Sequence, residues 1–471
     1  MECSYRSSEG DTCQFANSEL SYEEYQGGTW CPFHLPASAK ATWSEQQSGD
    51  LHKRIFDLIA QARPEGRADL RGVVIPAHIT FAQYNETSRM LPPIDFSRAT
   101  FLGQATFNRT IFGKSEFVST IFCDEVHFLG AEFYADANFD GAEFRKEAHF
   151  ERMKFRESAN FKRIHAVCNA TFAGTTFSKR ASFRHSQFDN KISFSQATFM
   201  DEADFSPVVC HNRADFIATR FRGDVEFQDS IFHDEADFAL GPLRGIESDG
   251  TPIGSFRRAN FSRVMFRGLA IFTDRVFLDS TRFRDAVFSY APQFHNGKLH
   301  PHTDFHAKFL DRRSQEAVSA YRWLKSAMGQ NRARGEEALF YAFEQEALRA
   351  QPETPRSVKL FSWSYSIISR YGSSLMRPLF CLFATTALFM VVYMAIALAS
   401  PNASFRDVGF FALEQVIRPF SLWSRGYDVS GSDWVAKNLS ILRVLSLLQG
   451  LLSLSFVALF LLALRWQFKR E

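Results

Sequence analysis

The chain has 471 residues, enough for two or three domains, and 45% of them are hydrophobic, so the chain can bury a sizeable core. The net charge of +2 is close to zero and gives no reason to expect a nucleic-acid partner. The 7 Cys are too few and too scattered for a disulfide framework. The composition has one anomaly, which is 52 Phe against 12 Tyr and 7 Trp.

The first segment, residues 1–66, begins without an apolar stretch and is not expected to act as a signal peptide. It contains Cys3, Cys13, Cys31 and His34, which are the residue types that bind zinc, in a segment otherwise too polar to fold alone. The sequence CPFHLP supplies a C-x2-H pair, although the other two cysteines are unusually far apart. The pattern predicts a structural zinc site with three thiolates and one imidazole. The alternative is that the thiols are unrelated and lie in a loose N-terminal arm.

The next segment contains 35 Phe between Phe96 and Phe309, nearly all separated by alternating steps of five and six residues. The residue two positions before each Phe is usually Ala, and the residue between them is usually polar. Because side chains alternate faces along a strand, Ala and Phe point inward together and the polar residue points outward. A short strand followed by a corner, repeated, predicts a β-solenoid with Phe stacked along its axis. The repeats of an α-solenoid, roughly 33 to 47 residues long, do not fit this spacing.

These residues resemble the pentapeptide-repeat family, whose unit reads A-[DN]-[LF]-x-x, in a Phe-centred variant with alternating five- and six-residue steps. The resemblance implies an all-β fold, a right-handed quadrilateral β-helix with four units per coil. Residues 67–309 would then form roughly ten coils of about 22 residues each. Earlier inward positions are expected at Leu70, Ile75 and Phe81. A Gly- and Pro-rich stretch, residues 239–255, is expected to leave the solenoid from one corner as a loop.

The charge of the predicted solenoid bears on what it binds. Members of the family that confer quinolone resistance bind DNA gyrase by mimicking DNA with an acidic surface. Here residues 96–309 hold 27 Lys plus Arg and 27 Asp plus Glu, without the negative excess that a DNA mimic needs. Gyrase binding is therefore a distant alternative, and no nucleic-acid partner is expected. Mixed charge favours a solvated face or one that binds an unidentified protein partner.

After Phe309 the apolar period changes to that of a helix. Residues 310–352 are predicted to form a helical hairpin, with Gly329 and Gly335 flanking its turn and Pro352 ending it. The hairpin is expected to cap the open end of the solenoid, as repeat proteins require. A separate role in binding a partner is the alternative. Residues 353–377 follow as a juxtamembrane segment.

Two segments, residues 378–400 and 444–464, are uncharged and long enough to span a bilayer. Basic residues precede the first and follow the second, where residues 465–471 form a basic tail. Under the positive-inside rule both termini, and with them the solenoid, are expected to be cytoplasmic. The resemblance suggests the inner membrane of a bacterium.

Residues 401–443, between the two spans, are expected to be extracytoplasmic, and the part from Phe405 to Trp423 is too apolar for an ordinary solvent loop. It predicts a helix that is either interfacial or re-entrant. The order of span, short helix and span resembles the two-transmembrane ion-channel domain sometimes found behind pentapeptide repeats. The chain lacks a TVGYG-type filter, so carbonyl-based potassium selectivity is not supported.

The second predicted span carries a polar face formed by Ser446, Gln449, Gly450 and Ser453, which recur three to four residues apart. One interpretation is helix–helix packing through small residues. The other is the lining of a pore. Because two spans cannot enclose a pore, a channel would require a homo-oligomer.

The sequence contains no G-x-S-x-G, P-loop or G-x-G-x-x-G motif, and no enzyme activity is expected. Two functions stay open. The first is a two-pass membrane protein whose cytoplasmic solenoid serves as a protein-interaction or assembly scaffold for a channel-like membrane domain. The second is an oligomeric ion-conducting pore that acts as a stress or defence effector. Apart from structural zinc, no cofactor is expected.

Overall fold

The computed structural model describes residues 2–7, 10, 12–15, 20–62, 66–81, 90–241, 245–246, 250, 252–398, 404–423 and 433–468. The chain separates into two compact units, Met1–Asp311 and Arg312–Glu471. The first unit contains a small N-terminal subdomain and a β-solenoid. The second unit is helical.

The N-terminal subdomain contains a hairpin of two antiparallel strands, β1 (Glu23–Tyr25) and β2 (Gly28–Trp30), and two helices, α1 (Ala37–Lys40) and α2 (Glu45–Gln61). Helix α2 begins with a capping box, in which Ser44 and Gln47 exchange hydrogen bonds. Its buried face, Leu51, Ile55 and Ile59, packs onto the first coil, and the rings of Phe56 and Phe81 lie 5.3 Å apart. This helix was not predicted, although the Ser44 cap and the apolar spacing of four residues indicate it.

The solenoid consists of short strands joined by tight corners. The strands are β3 (Ala68–Asp69), β4 (Val74–Ile75), β5 (Ile79–Thr80), β6 (Ile94–Asp95), β7 (Thr100–Phe101), β8 (Ala105–Thr106), β9 (Ile111–Phe112), β10 (Ser115–Glu116), β11 (Ile121–Phe122), β12 (Val126–His127), β13 (Glu132–Phe133), β14 (Ala137–Asn138), β15 (Glu143–Phe144), β16 (Ala148–His149), β17 (Lys154–Phe155), β18 (Ala159–Asn160), β19 (His165–Ala166), β20 (Ala170–Thr171), β21 (Thr176–Phe177), β22 (Ala181–Ser182), β23 (Ser186–Phe188), β24 (Ile192–Ser193), β25 (Thr198–Phe199), β26 (Ala203–Asp204), β27 (Val208–Cys210), β28 (Ala214–Asp215), β29 (Arg220–Glu226), β30 (Ile231–Phe232), β31 (Ala236–Asp237), β32 (Phe256–Asn260), β33 (Met265–Phe266), β34 (Ala270–Ile271), β35 (Thr281–Arg282), β36 (Val287–Phe288) and β37 (Lys308–Phe309).

Strands in successive coils pair in parallel and in register. Phe122 lies opposite Phe144, and Ala137 lies opposite Ala159, so one coil takes 22 residues. The pairs form sheets of 15, 11 and 9 strands. The largest sheet covers two faces because β29 runs around a corner and pairs with both β25 and β26. The solenoid therefore has four faces and about ten coils, and the predicted fold is confirmed.

Two kinds of corner explain the alternating spacing of Phe. After Phe139 the chain makes a β-turn in which the Ala142 N–H donates to the Phe139 carbonyl at 3.0 Å, and Gly141 has a φ of +70°. A positive φ at that position is typical of a type II turn, and it accounts for the five-residue step. The six-residue step, such as the one from Phe144 to Phe150, uses a wider bend with one more residue.

The core is a stack of buried Phe rings. Rings one coil apart lie parallel, as Phe117 and Phe139 do at 4.7 Å, whereas rings on different faces meet edge to face, as Phe139 and Phe150 do at 6.1 Å. Such aromatic pairs contribute about 0.5–1.5 kcal/mol beyond the burial of their surface. Ala166 and Cys210 occupy two positions of the ladder where the spacing predicts Phe, and both are buried.

The predicted loop after Phe238 is confirmed by the strand register. Ala214 and Ala236 are paired 22 residues apart, whereas Ala236 and Ala270 are paired 34 residues apart. The 12 extra residues therefore lie between β31 and β32, and the stack continues on both sides. The rings of Phe238 and Phe272 are 4.9 Å apart.

The second unit contains α3 (Gln315–Gln330), α4 (Arg334–Ala350), α5 (Arg356–Ser369), α6 (Met376–Ala397), α7 (Phe405–Ile417), a 3-10 turn (Ser421–Trp423), α8 (Asp433–Lys437) and α9 (Leu439–Phe468). Helices α3 and α4 form the predicted hairpin, which buries Tyr321, Phe340 and Phe343 between them. That it caps the solenoid stays a prediction. The segment predicted as juxtamembrane contains α5, a helix that was not predicted. Of the predicted basic tail, residues 469–471 lie outside the described residues.

Candidate metal centre and membrane helices

Cys3, Cys13, Cys31 and His34 come together in the N-terminal subdomain. Their three sulfurs and one imidazole nitrogen all lie within 4.8 Å of one another, and all four side chains are buried. The Cys13 and Cys31 sulfurs are 3.7 Å apart, and His34 Nδ1 lies 3.4 Å from the Cys31 sulfur and 3.9 Å from the Cys3 sulfur. The first of these separations is far longer than a disulfide bond, and the three cysteines are free.

The hairpin and the turn after it bring these residues together. The Ser4 N–H donates to the Thr29 carbonyl in β2, and the Thr29 N–H donates to the Ser4 Oγ, which places Cys3 beside Cys31. The chain then turns, and the N–H groups of His34 and Leu35 donate to the Cys31 carbonyl. The Cys31 N–H donates to the Cys3 sulfur at 3.4 Å. Two ligand-type residues thus lie in one turn, and a third is held beside it.

The imidazole of His34 has a fixed orientation. Its Nε2 donates to the carbonyl of Arg71 at 2.9 Å, which leaves the lone pair of Nδ1 facing the sulfurs. The ring of Tyr5 stacks on the imidazole at 3.9 Å with an interplanar angle of 8°. Histidines that bind metals usually donate their other ring N–H to a carbonyl or carboxylate in this way.

The three thiols shift one another's pKa values because they are close together and shielded from water. The pKa of Cys31 is raised by its hydrogen bonds with Cys13 and Cys3 and by burial, and contact with Cys3 raises the pKa of Cys13 to about 11. The pKa of Cys3 lies well below its ordinary value, since Cys13 and Cys31 donate to its sulfur. The closeness of the three sulfurs therefore disfavours ionising all three thiols together, and a bound cation would offset that cost.

The spacing of the cluster matches a tetrahedral site. Zinc–sulfur bonds of about 2.3 Å at tetrahedral angles place two sulfurs about 3.8 Å apart, close to the separation of Cys13 and Cys31. Four ligands leave no open coordination position, which is typical of structural rather than catalytic sites. The cluster could therefore hold one metal ion.

The polar face predicted on the second span lies inside the second unit. Ser446, Gln449 and Ser453 are buried in α9. The Tyr393 hydroxyl in α6 donates to Gln449 Oε1 at 2.9 Å, and Gln449 Nε2 donates to the Ala412 carbonyl in α7 at 2.9 Å. This geometry favours packing within one chain. A pore lined by these residues stays a prediction.

Gly450 lies where α9 meets the chain after α7. A methyl group added at Gly450 would lie 3.2 Å from Pro419 and 3.5 Å from the ring of Phe420, so the close approach depends on the missing side chain. Helix α7 packs against the last turns of α6 and the first three turns of α9, and Tyr393, Phe411 and Leu442 belong to one buried cluster. The short helix predicted between the spans therefore exists and folds back onto both long helices.

Part of the solenoid matches a known protein family. A family model described as pentapeptide repeats (9 copies) matches residues 96–143 and 194–239. Both ranges lie within the four-faced solenoid. The solenoid is a pentapeptide-repeat domain. Searches of curated proteins and of solved structures found no match to the chain.

Helices α6 and α9 follow the pentapeptide-repeat domain in sequence. Met376–Ala397 and Leu439–Arg465 are the two described helices long and apolar enough to cross a membrane, by length and composition. Large apolar side chains of α6 are exposed, including Phe380 and Phe383 at 73% and 70%. The predicted first span, residues 378–400, ends in residues that lie outside the described ones.

The other cysteines of the pentapeptide-repeat domain are separate from the cluster. Cys123 and Cys168 are half-buried at corners, and burial raises the pKa of the fully buried Cys210. Their positions are explained by packing in the solenoid.

Proposed function

We propose that the protein is anchored in a membrane by α6 and α9 and uses its pentapeptide-repeat domain as a scaffold that binds a protein partner. The exposed apolar surface of α6 is the observation that carries the membrane location, because such a surface is costly in water. Basic residues lie at the start of α6 and at the end of α9, among them Arg370 before α6, Arg377 in its first turn and Arg465 in the last turn of α9. Under the positive-inside rule they support a cytoplasmic location for both termini. The resemblance to pentapeptide-repeat proteins is what suggests the inner membrane of a bacterium.

The scaffold role is supported by the outward residues of the solenoid, which form ladders of paired charges. Glu132 binds Lys154 and Arg156 one coil further on, and Arg263 binds Asp229 across the loop insertion. Such a rigid, balanced surface offers many directed polar groups for binding another protein.

Three measurements test this proposal. Membranes washed with alkaline carbonate should retain the full chain, and reporter fusions at both termini should show cytoplasmic location. A photo-crosslinking amino acid placed at the exposed position of Tyr134 should capture a defined protein in cells. The same amino acid at the exposed position of Tyr290, on another face of the solenoid, provides the comparison. Release of the chain by carbonate, or no crosslink from any face, would contradict the anchored scaffold.

An oligomeric ion-conducting pore, acting as a stress or defence effector, is the second candidate. The specific observation in its favour is that α7, the short helix between the two long helices, folds back onto both of them. Light scattering of the detergent-purified protein, with the detergent mass subtracted, tests it. A closed ring of roughly four or more copies is needed to surround an aqueous path. A monomer or dimer rules the pore out and leaves the scaffold.

We also propose that the cysteine–histidine cluster holds one structural zinc ion. Three thiolates and one imidazole suit zinc better than magnesium or calcium, which prefer oxygen. Elemental analysis of the purified chain should find one zinc per chain. Cys31→Ser should lose it, whereas Cys168→Ser, away from the cluster, should retain it.

A further inference from the structure

The cluster lies against the open end of the solenoid. Strands β3, β4 and β5 belong to the first coil, and each pairs with a later coil on one side only. Such an edge presents backbone groups that can pair with another chain or fray. The N-terminal subdomain must therefore satisfy the backbone groups that a preceding coil would satisfy.

The residues around the cluster supply these hydrogen bonds. On the face that contains β4, each coil donates N–H groups to the preceding coil, as the Ile121 N–H does to the Ala99 carbonyl at 2.9 Å. Val74 lies in the first coil, so no preceding coil can accept from its N–H. This N–H donates instead to the carbonyl of Phe33 at 2.8 Å. At the adjoining corner the Arg71 carbonyl accepts from His34 Nε2.

The residues that cap this edge are ligand-type residues or their immediate neighbours. Phe33 lies between Cys31 and His34 in the C-x2-H turn. Gln14 follows Cys13, and its Nε2 donates to the Arg71 carbonyl at 3.0 Å. The conformation that brings the sulfurs and the imidazole together therefore also aims a carbonyl and two N–H donors at the first coil.

Lys40 connects the same turn to the first coil from the other side. Its buried ammonium donates to the Phe33 carbonyl at 3.1 Å and to the Val74 carbonyl at 2.5 Å. The Phe33 ring stacks on Phe15 at 4.0 Å, next to the cluster. The turn is thus fixed by the cluster on one side and bound to the solenoid edge on the other.

We propose that metal binding at Cys3, Cys13, Cys31 and His34 closes the open edge of the solenoid, because the ion fixes the turn whose Phe33 carbonyl and His34 imidazole cap the first coil. The inference rests on the proposed zinc site and adds a role to it. Loss of the ion opens the first coil and leaves the inner coils folded, since each coil of a solenoid contacts only its neighbours.

Hydrogen exchange of the full-length protein in detergent, with zinc content measured on the same samples, tests the inference. Chelation of zinc from the wild-type chain should speed exchange in residues 68–75 by at least about tenfold and leave residues 139–194 unchanged. Adding zinc back should restore protection. Cys31→Ser should resemble the chelated protein, and Cys168→Ser should resemble the zinc-loaded one. The chelation experiment uses the wild-type chain, so it still tests the inference if the Cys31→Ser variant fails to fold.

Two outcomes would overturn the inference, and they differ in whether the proposed zinc site is also wrong. If zinc is lost and residues 68–75 stay protected, the ion does not close the edge, and the structural zinc site itself survives. If the wild-type chain contains no zinc and residues 68–75 are protected, both the zinc site and its role are wrong.

Discussion

The guanidinium of Arg275 donates from Nη2 to the carbonyl oxygen of Phe216 at 2.9 Å, across 59 residues of sequence. Its Nη1 donates to the carbonyls of Thr219 and Gly254 at 2.7 Å and 2.6 Å, and its charge lies 5.2 Å from the centre of the Phe256 ring. Burial lowers the pKa of this side chain to about 9. Arg275 thus donates hydrogen bonds to buried backbone carbonyls of the solenoid beside the loop insertion.

Arg275→Met should destabilise the solenoid by about 3 kcal/mol or more, because several buried carbonyls lose their donors together. Urea unfolding of the detergent-solubilised chain, followed by pulse proteolysis, measures the change in unfolding free energy. Arg284→Met is the control, since Arg284 is exposed and pairs with Asp304 at the surface. That control should change stability by under about 1 kcal/mol. Equal effects of the two substitutions would contradict the structural role of Arg275.

Gly141→Ala should destabilise the solenoid by about 1–2 kcal/mol, because residue 141 has a φ of +70° in a type II corner and an L side chain is strained there. Gly113→Ala is the matched control. Gly113 also lies at a corner, but it is not among the residues with positive φ, and an added methyl group would meet the Leu91 carbonyl only at 3.4 Å. The control should be neutral or slightly stabilising. The same urea titration compares them, and a larger loss at Gly113 would refute the assignment of corner types.

The sequence predicted those features that repeat. Inward-facing Phe residues such as Phe139 recur once per face of the solenoid. Their spacing alone therefore indicated short strands, the corners between them and a stack of Phe rings in the core. Arg275 was not predicted, because its partners lie one or two coils away and only the three-dimensional stack brings them together. Likewise the residue types of Cys3 and His34 indicated zinc, whereas the bond from His34 to Arg71 depends on how the subdomain folds onto the first coil. Helix α2 was missed because its apolar face is short and lies in a polar segment.

Substitutions of two partly buried carboxylates of the solenoid should change its stability in opposite directions. Burial raises the pKa of Glu226, which accepts from Asn260 at 2.7 Å, whereas hydrogen bonds from Lys154 and Arg156 lower the pKa of Glu132. Glu226→Gln should therefore stabilise the protein at pH 7, and Glu132→Gln should destabilise it, each by under about 1 kcal/mol.

The pH dependence separates these two effects. The gain from Glu226→Gln should shrink as the pH falls through the raised folded pKa and vanish near 4.5, the ordinary value. The loss from Glu132→Gln should persist down to about that pH and vanish only as the pH falls through the lowered folded pKa. Unfolding curves from pH 7 to pH 3 measure both, and changes of the same sign would contradict the assigned environments.

Gln449→Leu should destabilise the helical unit by about 0.6–1.7 kcal/mol, because the Tyr393 hydroxyl and the Ala412 carbonyl both lose their partner in α9. Ser455→Ala is the matched control on the same helix, since the Ser455 hydroxyl donates to the Leu451 carbonyl of its own helix and not to α6 or α7 in the part of the chain that the structure describes. Thermal unfolding in detergent compares the two variants. If Gln449 instead lines an assembled pore, the leucine variant should keep its stability and lose conductance, which would contradict the packing role.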